Sequence, residues 1–82
     1  TYTPEQLGAD KLLAAGKFEL ALAQYTQALR AERRTWVRRQ ILANQVWCYR
    51  ALGQWSFAAK TFQALVDSDP QTFYFDCIPL AW

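Results

Sequence analysis

Gly16-Lys-Phe-Glu-Leu-Ala-Leu-Ala-Gln-Tyr-Thr-Gln-Ala-Leu29 and Gly53-Gln-Trp-Ser-Phe-Ala-Ala-Lys-Thr-Phe-Gln-Ala-Leu-Val66 are one pattern written twice, 37 residues apart. Phe18, Ala21, Leu22, Tyr25, Ala28 and Leu29 fall on Trp55, Ala58, Ala59, Phe62, Leu65 and Val66, and Ala14 falls on Ala51. Within each copy the apolar positions follow i, i+3, i+4, i+7, the spacing of one helical face. The glycine ahead of each copy suits the left-handed residue that closes a preceding helix. An internal period of this length signals a repeat architecture.

Working outward, Thr3-Pro4-Glu5-Gln6 reads as a helix start, with Thr as N-cap, Pro at N1 and Gln at N3. A first helix is predicted over about Pro4–Ala15 and a second from about Lys17 to Glu32 or Arg33. Thr35 is the expected N-cap of a third, over about Trp36–Leu52. Val37, Ile41, Cys48 and Leu52 make one stripe on it, Leu42, Val46 and Tyr49 a second, and Trp36, Ala43 and Trp47 a third. Apolar residues nearly all round predict a central helix contacted on several sides. A fourth helix is predicted over about Gln54–Ser68, stopped by Asp69-Pro70. No stretch alternates with period 2 and no Asn-Gly or Asp-Gly turn occurs, so the fold class is all-α. Residues 1–70 are predicted to form two antiparallel helical hairpins, about 4–33 and 36–69. Residues 71–82, rich in aromatics, read as a short capping helix or an extended tail.

Eighty-two residues make one small domain, in the range where core burial only narrowly outweighs chain entropy. Apolar residues are 52% of the chain, with four Trp, four Tyr and five Phe, which argues against disorder. The net charge is only +2, yet Arg30, Arg33, Arg34, Arg38 and Arg39 face Glu32 alone over ten residues, leaving that stretch at +4 and the remainder at −2. No run approaches the roughly 18–20 apolar residues of a membrane-spanning helix. The chain opens on Thr rather than Met, as expected of a processed or excised piece; a cytoplasmic chain and one that has lost a signal peptide both fit. Cys48 and Cys77 are too few for a disulfide framework, and two buried free thiols are expected in preference to a bridge.

Histidine is absent, which removes the commonest general base and the commonest transition-metal ligand. The two cysteines lack zinc-site spacing, and Gly8, Gly16 and Gly53 form no phosphate loop. Asp67 and Asp69 read as a solvated helix end. No catalytic residue, metal site or cofactor is expected, and the chain is not expected to be an enzyme by itself.

The second unit resembles the tetratricopeptide repeat: Tyr49, Gly53, Trp55, Ala58, Phe62 and Pro70 stand at that family's aromatic, small, aromatic, small, aromatic and proline intervals. In the first unit Gly16, Phe18, Ala21, Tyr25 and Ala28 match, while Arg33 stands where the closing proline would be. The family period is about 34 residues. The three or so extra residues are expected in the Arg30–Arg39 segment, lengthening the second helix by nearly a turn. Small Ala21 and Ala58 would let helices approach closely, and Phe18, Tyr25, Trp55 and Phe62 would fill the space between hairpins.

The resemblance implies a solenoid fragment whose first helix in each hairpin lines a concave groove. It places Gln6, Asp10 and Leu13 there from the first unit, and Gln40, Ala43, Asn44, Trp47 and Arg50 from the second. Of the carboxylate clamp some members carry, only Asn44 fits; Ala43 and Trp47 depart from it. The expected function is a non-catalytic protein-interaction or assembly module holding a peptide or helix of a partner, with Trp47 either its anchor or plain inter-helix core. The alternative is self-association, or docking as part of a larger parent protein, because two repeats fall short of a self-sufficient stack. Third comes an acidic partner or nucleic acid gripped by Arg33, Arg34, Arg38 and Arg39, although nucleic acid is not the expected partner.

Overall fold

A computed structural model describes residues 4–68 of the chain. The Thr3 cap, the Asp69-Pro70 stop, Cys77 and the 71–82 tail lie outside the described residues. Four helices follow one another: α1 (Pro4–Ala14), α2 (Phe18–Ala31), α3 (Thr35–Ala51) and α4 (Trp55–Ser68). No strand occurs among the described residues. Each helix packs on the next in sequence, giving the hairpins α1–α2 and α3–α4 joined through α2 and α3. The all-α class is therefore established.

The repeated glycines make the same turn twice. Gly16 and Gly53 have φ of 78° and 73°, a region that a side chain at Cβ disfavours. At the first turn, Gly16 N–H donates to the Leu13 carbonyl (3.0 Å) and Lys17 N–H to the Leu12 carbonyl (2.9 Å). At the second, Gly53 N–H reaches Arg50 (3.0 Å) and Gln54 N–H reaches Tyr49 (2.8 Å). Each pair satisfies carbonyls that the helix end would otherwise leave unpaired.

The core forms where α1, α2 and α3 meet. Ala9, Ala21, Tyr25, Ala28, Val37, Ile41 and Cys48 are buried together, with Leu12, Leu13, Phe18, Leu22 and Leu29 packed around them. Ala21 and Ala58 are both buried, as expected of small residues at a close helix approach. Cys48 is a buried free thiol, and burial pushes it up to about 11. Two of the three stripes on α3 are turned inward. The third opens outward, with Trp36 47% and Trp47 42% exposed. No helix among the described residues is long and apolar enough to cross a membrane.

Three expectations need correction. Trp55 is 61% exposed instead of filling the space between hairpins, because among the described residues no third hairpin packs beyond α4. The second helix is not lengthened: α2 and α4 both have 14 residues, and the extra length sits in α3, with 17. Nor is Thr35 an N-cap. It is the first helical residue, and Arg34 ahead of it makes no side-chain cap.

Glu32 organises that junction. Its buried carboxylate accepts the backbone N–H of Arg33 (3.1 Å) and of Arg34 (3.0 Å), together with the Arg34 side chain at 2.8 and 2.9 Å. An acceptor so placed stops α2 and turns the chain into α3. The Arg34 guanidinium, with the two N–H groups, holds the carboxyl down at about 2, below the usual glutamate value near about 4.3. A depressed folded value stabilises the fold above the unfolded value, and that contribution disappears as pH falls through the folded one. Thermal stability is therefore expected to drop between about pH 5 and pH 2, and Glu32→Gln should flatten that part of the profile in melts followed by circular dichroism. Parallel profiles for the two proteins would contradict the assignment.

Candidate partner-binding surface

The groove candidates separate into distinct groups. Gln6 is 2% exposed and Leu13 half-buried against the core, so both pack inside the first hairpin. Asp10 and Asn44 converge on Tyr25: the Tyr25 hydroxyl donates to the Asp10 carboxylate and accepts from Asn44 Nδ2 at 3.1 Å. One phenol thus ties α1, α2 and α3 together. Burial, reinforced by the neighbouring carboxylate, raises the Tyr25 pKa far above its ordinary value and keeps the hydroxyl a donor. Gln40 and Ala43 are half-buried on α3.

Trp47 and Arg50 belong together at the far end of α3. With Phe18, Ala51 and Trp55 they line a cavity of about 250 Å³, where the start of α2, the end of α3 and the start of α4 meet. The Arg50 guanidinium lies 5.8 Å from the centre of the Trp55 ring, the geometry of a cation–π contact. Aromatic walls with one cation suit an apolar side chain that has an acidic group beside it. Phe18 and Trp55 are expected as core fillers; Phe18 does pack against the core, and both also line this cavity. The glycine turns supply the reason, since they carry the first residues of α2 and α4 past the end of α3. A second hollow of about 240 Å³ continues along α4, lined by Arg50, Trp55, Ala58, Ala59 and Phe62. Nearby, Phe57 stacks on Tyr49 with ring centres 5.5 Å apart.

The four arginines do not share one surface role. Arg33 is exposed. Arg34 binds Glu32 and lies 5.6 Å from the Trp36 ring centre. Arg38 donates to the carbonyls of Leu29 (2.8 Å) and Glu32 (2.9 Å), closing the end of α2. Arg39 is 7% exposed. Cations at a helix C-terminus complement its carbonyls, and that is the work Arg38 does here. Among the described residues no cluster of three His, Cys, Asp or Glu could hold a metal ion.

No family model matches this chain, and neither a curated protein nor a solved structure matches it.

Proposed function

We propose that this chain is a non-catalytic protein-interaction module of tetratricopeptide-like design, which holds a peptide or helix of a partner with Trp47 as anchor. One observation carries the reading: Trp47 remains 42% exposed on the rim of a cavity walled by Phe18, Arg50, Ala51 and Trp55. Trp and Arg are the residues that dominate interface energetics. A partner segment presenting an apolar side chain next to a carboxylate fits those walls and the Arg50 charge. The repeated turn and the stacked hairpins support the tetratricopeptide likeness.

The test is a titration of the folded chain against an array of short peptides pairing an apolar anchor with acidic flanks. Trp47→Ala is expected to weaken the best binders on the order of 30-fold, the loss of about 2 kcal/mol that marks an interface hot spot. The helical circular dichroism should be kept, because the side chain lies at the surface. Arg33→Gln, at an exposed position away from the cavity, serves as comparison and should matter far less. Binding indifferent to Trp47→Ala would remove the groove reading.

A further inference from the structure

The cavity at Trp47 has a neighbour at the first glycine turn. There a hollow of about 270 Å³ is lined by Gly16, Lys17, Phe18, Glu19, Leu20 and Leu52. Phe18 lines this turn hollow and the Trp47 cavity alike, so the two adjoin across one residue. The turn itself leaves the room. Gly16 has φ of 78°, brings no side chain to the corner, and has open space beside it. Leu20 is 57% exposed in the turn hollow, while Trp47 and Trp55 are 42% and 61% exposed at the cavity. One exposed Leu is ordinary, but large apolar residues gathered at adjoining hollows mark a binding surface.

We propose that the partner segment is an acidic amphipathic helix, seating one apolar side chain in the Trp47 cavity and a second, four residues away, in the turn hollow. This rests on the reading of Trp47 as anchor and names what that anchor holds.

Spacing, backbone and charge each lead there. Adjoining hollows call for side chains about 5–7 Å apart, which a helix presents three or four residues apart and an extended chain two apart. The backbone decides between these. An extended peptide needs partners for its own N–H and C=O groups, which a sheet edge supplies, and no strand occurs among the described residues. A helix pairs those groups within itself and can lie on a surface made mainly of Phe18, Leu20, Trp47, Leu52 and Trp55. Lys17 lines the turn hollow and Arg50 the cavity, against the single carboxylate of Glu19. Two cations against one anion favour acidic residues beside the anchors.

The test titrates the full-length chain, by fluorescence anisotropy, against three labelled Glu- and Ala-rich peptides of about 18 residues, long enough to form helix. One carries a single Leu, one has Leu at i and i+4, and one has Leu at i and i+2. The i, i+4 peptide is expected to bind about 10-fold tighter than the single-Leu peptide, the gain from burying one more Leu. The i, i+2 peptide should match the single-Leu peptide. Leu20→Gln is expected to erase the gain, leaving the single-Leu and i, i+4 peptides equal. Leu7→Gln, at a residue 47% exposed on α1 and outside both hollows, should keep it. Gln is a good helix former, so both variants should retain the parent circular dichroism. Trp47→Ala should weaken all three peptides. A gain that is absent, that survives Leu20→Gln, that is lost equally in Leu7→Gln, or that belongs to the i, i+2 peptide would overturn the proposal and leave Trp47 as anchor. No binding by any peptide, or binding indifferent to Trp47→Ala, would remove the anchor reading as well.

Discussion

Tyr25→Ala is expected to unfold the domain at or below about 37 °C. The ring is fully buried among Ala9, Ala21, Ala28, Val37, Ile41 and Cys48, and emptying such a site costs about 3–5 kcal/mol. Native domains have only about 5–15 kcal/mol in total, and 82 residues place this one toward the low end. A second loss adds to the first. Without the phenol, the Asp10 carboxylate and the Asn44 amide lose the hydroxyl that links them. Tyr25→Phe separates the two effects, because it keeps the ring and removes only the hydroxyl. Its expected cost is about 1.5–3 kcal/mol, the range for a hydrogen bond to a charged group. At about 4–8 °C per kcal/mol, even Phe should shift the melt visibly. An Ala variant that melts with the parent protein would show that Tyr25 does not join the three helices.

What the sequence made legible was the repeated turns and the helical order. The two glycine turns, the small Ala21 and Ala58 and the helical order all leave a trace at the 37-residue offset, because each depends on residues within a few positions of itself. The contacts that join the hairpins leave no such trace. Tyr25 meets Asp10 fifteen positions away and Asn44 nineteen positions away, and no period connects those separations. The resemblance places Asp10 and Asn44 in the groove, whereas their side chains meet at Tyr25. Trp55 shows the opposite failure. Its apolar type and spacing match Phe18, but burial requires a neighbour, and a stripe does not say whether one is present. The charge run places Arg38 in a displayed patch, yet it closes the end of α2. The resemblance places Trp47 and Arg50 in the groove one by one; it gives no sign of the walls that Phe18 and Trp55 add.

Ile41→Ala is the other change expected to be severe, and the reason lies in what surrounds it. Ile41 is fully buried within the three-helix cluster. Large-to-small changes of this kind cost about 2–5 kcal/mol, depending on how well the site collapses. Here collapse is poor, since Ala9, Ala21 and Ala28 are too short to move into the space. Their backbones are held within the hydrogen-bonded helices α1 and α2. The upper half of the range is therefore expected, reduced only by the few tenths of a kcal/mol that Ala gains in helix propensity. Ile41→Val, which removes one methyl group, should cost about 0.5–1.5 kcal/mol. On the same helix, Trp36 is 47% exposed and contacts Arg34 by its ring face, so Trp36→Ala should cost no more than about 1 kcal/mol. The expected order in denaturant melts is thus Ile41→Ala, then Ile41→Val and Trp36→Ala close together, despite Trp being the larger side chain. If Trp36→Ala proves the more damaging, the outward stripe of α3 is covered in solution and the packing centre lies on the wrong side of that helix.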